Sequence, residues 1–276
     1  MTQPTLRVAL TIAGSDSGGG AGIQADIKTF QAFGVFGTSA VTAITAQNTT
    51  GVSAVHPIPL EVVRALIDAV VQDLSPAGVK TGMLATAALV EAVASAIEWH
   101  GLHRYVLDPV MVSSSGHRLL ESDAVSAVVG RLLPLSALVT PNLDEARILT
   151  GLPVSGEDGQ REAARRLVEM GAGAALVKGG HGEGTEVLDV LWDGTRERSW
   201  RRPRMRTRNT HGTGCTLSAG VAAGLALGRT LDEAVDRSLA FVAAAIQSAP
   251  GLGAGHGPIN HFVDLSERSE SGSATA

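Results

Sequence analysis

A short glycine-rich loop before a run of small apolar residues is the segment of this sequence best suited to binding an anion. His211-Gly-Thr-Gly-Cys-Thr216 precedes a predicted helix over 216–227. Gly212 and Gly214 allow consecutive backbone N–H groups to converge, and the positive end of the helix adds to their field. Cys215 stands where a helix N-terminus stabilises a thiolate, although a lone cysteine is also commonly an inert core residue. For the glycines alone, a loop that leads into a closely packed helix is an open alternative.

Four residues at the ends of predicted strands or at a predicted helix start suit a polyphosphate and its metal ion. Asn142 and Glu145 stand three residues apart, so their oxygens fall on one side, as Mg²⁺ with retained water requires. The same pair also fits a helix cap. Lys178 ends a strand beside the glycine-rich segment 179–184, where a compact ammonium can contact phosphate. Asp108 ends another strand before a proline, and a simple turn is the alternative there.

The loop at 14–22 follows the first predicted strand and contains five glycines. It matches neither a Walker A motif nor GxGxxG, so the alternatives are close backbone approach to a flat ring and a flexible turn. Asp26 follows about one helical turn later. Gln47 ends an apolar strand, where its amide needs a partner, and Met83 offers a soft apolar contact to a ring. Both side chains also fit a packed core.

Short apolar runs alternate with helical periodicity along most of the chain. Predicted strands cover 6–13, 39–46, 79–82, 105–108, 137–140, 174–178, 187–192 and 195–200. Predicted helices cover 21–33, 59–71, 85–99, 124–133, 143–149, 160–170, 216–227 and 231–247. The alternation predicts a mostly parallel sheet with helices on both faces, and Asp193-Gly194 predicts a hairpin at one edge. Ligands of such sheets bind at the carboxyl ends of the strands, where the candidate residues lie.

Length and composition limit the possible functions. The 276 residues, 44% of them hydrophobic, predict one domain over 1–265, and the polar stretch 266–276 is expected to be a disordered tail. The net charge of −5 argues against nucleic acid or an anionic membrane as partner, and the seven arginines at 196–208 are interpreted as a solvated hairpin face. One cysteine excludes an internal disulfide and a cysteine-built zinc site. With no leader-like or membrane-spanning segment predicted, we expect a cytoplasmic protein.

Lysine is scarce in this chain. Lys28, Lys80 and Lys178 are the only three among 22 basic residues. A lysine in such a composition is a candidate for a tight site that the larger guanidinium of arginine cannot enter. Lys80 borders the loop that carries Met83, whereas Lys28 has no predicted role.

Several motifs occur together in an order that resembles the ribokinase-like superfamily of small-molecule kinases. They are Thr140-Pro-Asn-Leu-Asp-Glu145, Lys178-Gly-Gly-His181 and the Gly-Thr-Gly at a helix start. Most of that superfamily has aspartate after the GxG. This chain has Cys215 there and so resembles the hydroxymethylpyrimidine and phosphomethylpyrimidine kinases of thiamine biosynthesis, with some related pyridoxal kinases. The segments 11–26, 46–49 and 80–83 match the same pattern, and the resemblance runs from about residue 6 to 262.

The resemblance implies a ribokinase-like three-layer α/β/α fold and an ATP-dependent kinase. Its acceptor would be the hydroxymethyl group of an aminopyrimidine and then the resulting monophosphate. Cys215 would be the base, in an anion hole formed with Gly212, Thr213 and Gly214. Acceptor contacts would come from Gly14, Asp26, Gln47, Met83 and Val110. Nucleotide contacts would come from Lys178, Asp108, Asn142, Glu145 and His211, with Asn142 and Glu145 organising Mg²⁺ through water. The family also implies a homodimer.

Two other functions stay open at this stage. A pyridoxal kinase would use the same scaffold, because pyridoxal also carries a hydroxymethyl group beside a heteroaromatic ring; Gln47 with Met83 favours the pyrimidine. A catalytically silent nucleotide-binding regulatory protein is the second alternative, and the joint presence of the base, the metal pair and Lys178 argues against it. The glycine-rich segment 251–257 either borders the adenine or is a plain connector.

Overall fold

The computed structural model describes residues 6–112, 116, 119, 121, 123–180, 182 and 184–264. The tail predicted at 266–276, and His181 of the lysine motif, lie outside these residues. The described residues form a nine-stranded sheet with helices packed on both faces. The predicted three-layer α/β/α arrangement is therefore confirmed.

The secondary structure follows the chain in alternation. The strands are β1 (Val8–Asp16), β2 (Phe36–Asn48), β3 (Gly51–Pro57), β4 (Gly78–Thr81), β5 (Tyr105–Leu107), β6 (Leu138–Val139), β7 (Ala175–Val177), β8 (Glu186–Trp192) and β9 (Glu197–Pro203). The helices are α1 (Gly22–Ala32), α2 (Leu60–Leu74), α3 (Ala87–His100), α4 (Ala124–Ala127), α5 (Leu143–Thr150), α6 (Gly156–Glu169), α7 (Thr213–Ala226) and α8 (Leu231–Gln247). A π turn, Val128–Leu132, and a 3₁₀ turn, Leu133–Leu135, continue α4.

The sheet order is β3-β2-β1-β4-β5-β6-β7-β8-β9. The six strands from β2 to β7 in this order run parallel, so their carboxyl ends share one edge. At one side β3 is antiparallel to β2, and at the other β8 and β9 form an antiparallel hairpin. The hairpin predicted around 193–194 is confirmed.

Apolar residues of the strands alternate between two cores, one on each face of the sheet. Leu10 and Ile12 face the core under α2, α3 and α6, whereas Ala9 faces the core under α1, α7 and α8. By the same alternation, the neighbouring residues Val106 and Leu107 of β5 belong to different cores. Side chains of a strand point to opposite faces in turn, so burial on both faces explains the continuous apolar runs.

The structure adds one strand to the prediction and corrects the start of one helix, both near the site. Strand β3 was not predicted, because Gly51–Pro57 is largely exposed and lacks the apolar alternation of a half-buried strand. Helix α7 begins at Thr213 instead of Thr216. Gly212 caps it with φ +83°, a left-handed conformation that glycine adopts without strain. Thr213, Gly214 and Cys215 therefore form the first helical turn.

The arginines of β9 have acidic partners on neighbouring elements. Arg198 pairs with Asp236 on α8 at 2.7 Å, Arg201 pairs with Glu157 on α6, and Arg202 pairs with Asp189 on β8. These acidic partners offset the positive charge of the hairpin, in agreement with the interpretation of the arginines as a hairpin face exposed to solvent.

Candidate active site

Five buried or nearly buried charged side chains form a row across the carboxyl edge of the sheet. In spatial order the row is Asp26, Lys80, Asp108, Lys178 and Glu145, so negative and positive charges alternate. Its members come from α1, β4, the loop after β5, the loop after β7, and α5. Four of the five were candidate residues from the sequence. The fifth, Lys80, was noted only as a neighbour of Met83.

Lys80 is fully buried and lies between two carboxylates. Its Nζ donates to both oxygens of Asp26, at 3.0 and 2.9 Å, and lies 3.9 Å from Oδ2 of Asp108. Thr11 Oγ1 also donates to Asp26 Oδ2, at 2.6 Å. Burial alone would lower the pKa of Lys80, but the Asp26 carboxylate and the other negative groups nearby outweigh it and raise the pKa above its usual value. Lys80 is therefore a permanently charged ammonium.

Asp108 connects the two lysines. Its Oδ1 accepts from Lys178 Nζ at 3.2 Å, and its Oδ2 accepts from Ser218 Oγ of α7 at 3.1 Å. Burial would raise the pKa of Asp108, but the two ammonium groups lower it below the usual range for a carboxyl. Asp108 is therefore more than a turn former, because its carboxylate ties β4, β7 and α7 together.

Asn142 and Glu145 form a complete capping box at the start of α5. Asn142 Oδ1 accepts the backbone N–H of Glu145 at 3.0 Å, and Glu145 Oε2 accepts the backbone N–H of Asn142 at 2.8 Å. Burial raises the pKa of Glu145 to about 7, against the opposing effect of Lys178 and with the support of Asp108. The helix cap is therefore present in the structure. It is compatible with the other predicted role of these oxygens, contact with Mg²⁺ through water.

The first turn of α7 lies directly beside Lys178. A Cβ placed on Gly214 would lie 3.3 Å from Lys178 Nζ, so the ammonium approaches the helix backbone closely. A Cβ on Gly212 would overlap the carbonyl oxygen of Gly20, so the loops at 14–22 and 211–214 touch through their backbones. The ammonium and the helix N-terminus together provide a strong local preference for an anion.

Cys215 is half-buried at the start of α7, near the row of charges. Burial raises the pKa of its thiol to about 11; the Lys80 charge lowers it, while Asp26 and Asp108 raise it further. Burial and the two carboxylates thus favour the neutral thiol in the ligand-free protein, and not the thiolate expected at this helix N-terminus. Cys215 is a thiol at neutral pH.

The glycine loop is held by a carboxylate that the sequence reasoning did not single out. Asp16 accepts hydrogen bonds from the backbone N–H groups of Gly18, Gly20 and Ala21 at 2.8–3.1 Å. Its Oδ2 also lies 2.9 Å from His211 Nε2. An Asp in a Gly-Ser-Asp-Ser-Gly run was the only available signal, since this residue type favours such turns. The loop is thus ordered by its own hydrogen bonds.

The predicted acceptor-side residues surround this loop. Met83 is buried, and its sulfur lies 3.2 Å from where a Cβ on Gly14 would be. Gln47 is half-buried at the end of β2, with its Nε2 3.2 Å from His211 Nε2. Val110 is half-buried after β5. His211, predicted to contact the nucleotide, lies beside Asp16 and Gln47.

The segment 251–257 packs against the same edge. His256 N donates to Thr49 O at 2.8 Å, and His211 N donates to Gly257 O at 3.1 Å. A Cβ on Gly253 would overlap the side chain of Thr49. This segment therefore closes one side of the site through specific contacts. The exposed Lys28 lies at the glycine loop, where its Nζ donates to Gly19 O at 2.7 Å.

Within the described residues, no three histidine, cysteine or acidic side chains converge as metal ligands. Mg²⁺ that is bound with a polyphosphate commonly keeps several waters and takes oxygens from the phosphates. Among the same residues, none of the helices has the length and apolar character of a membrane span.

The fold and the position of this site define a small-molecule kinase of the ribokinase-like α/β class. A sequence model described as phosphomethylpyrimidine kinase matches residues 16–260, and the chain belongs to this family.

Individual relatives agree with this assignment. The hydroxymethylpyrimidine/phosphomethylpyrimidine kinase of Bacillus subtilis (strain 168) is 49% identical over 92% of this chain and 94% of its own length. The structure of phosphomethylpyrimidine kinase from Clostridium difficile 630 is similar with a TM-score of 0.78 at 38% identity, covering 87% of this chain and 99% of that one. The ADP complex of Bacillus subtilis pyridoxal kinase has a TM-score of 0.87 at 37% identity, covering 93% and 98%. The shared fold thus includes kinases with two different heterocyclic acceptors.

Proposed function

We propose that this protein transfers the γ-phosphoryl group of ATP to the hydroxymethyl group of 4-amino-5-hydroxymethyl-2-methylpyrimidine, and then to the monophosphate that results. The observation that carries this proposal is the position of Lys178 and the α7 N-terminus beside Cys215, between the glycine loop and the capping box. The acceptor lies on the side of Gly14, Asp26, Gln47, Met83 and Val110. The nucleotide lies on the side of Lys178, Asn142 and Glu145.

The reaction uses the first turn of α7 as its centre. The thiolate of Cys215 takes the proton of the acceptor hydroxyl as that oxygen bonds to the γ-phosphorus, and the bond to the bridging oxygen breaks to release ADP. The ligand-free thiol has a pKa of about 11, so this step requires Cys215 to ionise in the complex with both substrates before the transfer. The backbone N–H groups of Gly212, Thr213, Gly214 and Cys215, with the helix dipole, stabilise the charge on the equatorial oxygens.

Asn142 and Glu145 would hold Mg²⁺ through water. Burial raises the pKa of the Glu145 carboxyl to about 7, so a nearby cation would favour its ionised form. Its Oε2 and the Asn142 Oδ1 already accept backbone N–H groups, which favours contact through water over direct coordination. When bound, the ion neutralises part of the polyphosphate charge. Lys178 and Asp108 complete the surroundings of the phosphates, Lys178 as a direct contact.

Phosphoryl transfer to pyridoxal is the competing activity, because a pyridoxal kinase shares the fold at a TM-score of 0.87. A coupled ADP-release assay with the pyrimidine alcohol, its monophosphate and pyridoxal distinguishes the two. We expect turnover with both pyrimidines and a lower kcat/KM for pyridoxal. A hundredfold preference for pyridoxal would overturn the proposal, and ATP binding without turnover of any acceptor would indicate a silent regulatory protein.

The active form is proposed to be a cytoplasmic homodimer, as the family resemblance implies. Light scattering coupled to gel filtration tests the assembly, with twice the chain mass of 28.3 kDa as the expected result.

A further inference from the structure

Asp16, His211 and Gln47 connect the loop after β1, the approach to α7 and the end of β2. Asp16 is 3% exposed, and its Oδ2 lies 2.9 Å from His211 Nε2. The same His211 nitrogen lies 3.2 Å from Gln47 Nε2. Three segments far apart in the sequence thus meet at one imidazole nitrogen.

The proton at this nitrogen can be assigned from chemistry. Burial alone would raise the pKa of Asp16, but the hydrogen bonds from His211 and from the backbone N–H groups of Ala21 and Gly18 hold it below the usual value. Asp16 is therefore ionised at neutral pH, and an ionised carboxylate only accepts hydrogen bonds. The hydrogen between Asp16 Oδ2 and His211 must therefore reside on Nε2.

The assignment determines which way the Gln47 amide faces. An Nε2 that carries a proton is no acceptor for the Gln47 NH₂ group. On the other side of the amide, Thr45 Oγ1 lies 3.3 Å from Gln47 Oε1, but the Thr45 hydroxyl hydrogen is already donated to Ser15 O at 2.8 Å. When the amide is turned by 180°, its NH₂ can donate to Thr45 Oγ1, and its oxygen instead of its hydrogens faces the N–H edge of His211, whose one hydrogen is donated to Asp16. The two ends of an amide have nearly the same shape, so the hydrogen-bond partners determine its orientation.

We propose that Asp16 and His211 are positioning residues that fix the Gln47 amide in this one orientation and thereby select the heterocycle. The inference rests on the proposed function, in which Gln47 contacts the acceptor ring. In this orientation Gln47 retains one N–H donor and one carbonyl lone pair for the ring. That pair matches an aminopyrimidine edge, where a ring nitrogen accepts and an amino group donates. An acceptor ring without the matching pair would leave a buried polar group unpaired, which is the physical basis of rejection.

The test is a double-mutant cycle between Asp16 and Gln47. In Asp16→Asn the negative charge that holds the proton on His211 Nε2 is lost, and with it the preference for one Gln47 orientation. We expect KM for the pyrimidine alcohol to rise about tenfold or more, the effect of an unsatisfied hydrogen bond, with KM for ATP within about twofold. In a Gln47→Ala background the same change should have little further effect. Asp193→Asn is the matched control, because Asp193 also accepts backbone N–H groups, in a remote hairpin turn.

Fully additive effects on KM in the cycle, or an equal rise in KM for ATP, would overturn the inference. If Asp16→Asn does not fold, His211→Ala in the same two backgrounds gives the same cycle. A second measurement is independent of the substrate: long-range ¹H–¹⁵N spectra of the ¹⁵N-histidine-labelled, ligand-free protein, with His211 assigned from His211→Gln. We expect a proton on Nε2, and an unprotonated Nε2 would contradict the inference. Failure of the wild type to phosphorylate the pyrimidine would instead count against the proposed function.

Discussion

The ammonium of Lys80 lies 2.9 Å from Oδ2 of Asp26, and neither side chain has any exposed surface. The pair lies near Cys215, and its lysine also contacts Asp108, so it packs against two residues of the site. Removing one partner of a buried pair leaves an uncompensated charge, whereas removing both is much better tolerated. The contribution of the pair to the free energy of unfolding can therefore be measured with single and double variants.

Lys80→Met should lower the free energy of unfolding by about 3–5 kcal/mol, because the Asp26 carboxylate is left buried without its partner. Urea unfolding followed by circular dichroism measures this. The double variant Asp26→Asn with Lys80→Met should recover most of the loss. Lys28→Met removes an exposed lysine and should change stability by less than about 0.5 kcal/mol. Equal effects of the Lys80 and Lys28 substitutions would contradict a structural role for the buried pair.

Cys215→Ala should reduce kcat by about 10²–10⁴-fold, the usual contribution of a general base, while the affinity for ATP stays near that of the wild type. ADP release gives kcat, and calorimetric titration with a non-hydrolysable ATP analogue gives the affinity. Cys215→Ser tests whether a smaller, less acidic hydroxyl can replace the thiol. Near-normal turnover in Cys215→Ala would eliminate the assignment of this residue as the base.

The thiol of Cys215 should react slowly with iodoacetamide until strongly alkaline pH. Because burial raises its pKa to about 11, the alkylation rate of the ligand-free protein should keep rising from pH 8 to pH 11. In urea-unfolded protein the rate should instead level off near pH 9. A plateau below pH 9 in the folded protein would show that the thiolate is stabilised after all. Since Cys215 is the only cysteine, no other thiol interferes.

The raised pKa of the Cys215 thiol also makes the free energy of unfolding depend on pH. Between pH 9 and pH 11 the unfolded thiol releases its proton before the folded one, so the folded state binds more protons. The free energy of unfolding should therefore decrease as the pH rises through this range. Cys215→Ala should lack this component of the pH dependence.

Gly212→Ala should abolish most activity, because the added Cβ would overlap the carbonyl oxygen of Gly20 in a left-handed conformation that alanine disfavours. Gly151→Ala is the matched control: its φ of +72° is also left-handed, but open space surrounds it. The control should lose about 1–2 kcal/mol of stability and keep its kcat. Equal losses of kcat in the two variants would mean that the contact between the two glycine loops does not matter for catalysis.

The sequence was most informative where chemistry-bearing residues end parallel strands. Asp108 and Lys178 could be predicted to share an edge because carboxyl ends of parallel strands meet, and the structure places them 3.2 Å apart. The capping box was predictable from spacing alone, since Asn142 and Glu145 are local to one helix start.

Contacts between distant segments could not be read from the sequence. Lys80 and Asp26 are 54 residues apart, and no local signal pairs them. The partnership of Asp16 with His211 spans 195 residues and has no local signal either. The raised pKa of Cys215 comes first from burial and then from charged groups that reach it only in the folded protein, and neither can be read from its position at a helix start.

The scarcity of lysine has a practical consequence for labelling. Lys80 is fully buried and the side chain of Lys178 is only 12% exposed, whereas Lys28 is exposed at the rim of the glycine loop. Amine-reactive esters should therefore couple, among the lysine side chains, almost entirely to Lys28. A fluorophore attached there would lie beside Gly19 and would report on ligand binding at the loop without any engineered residue.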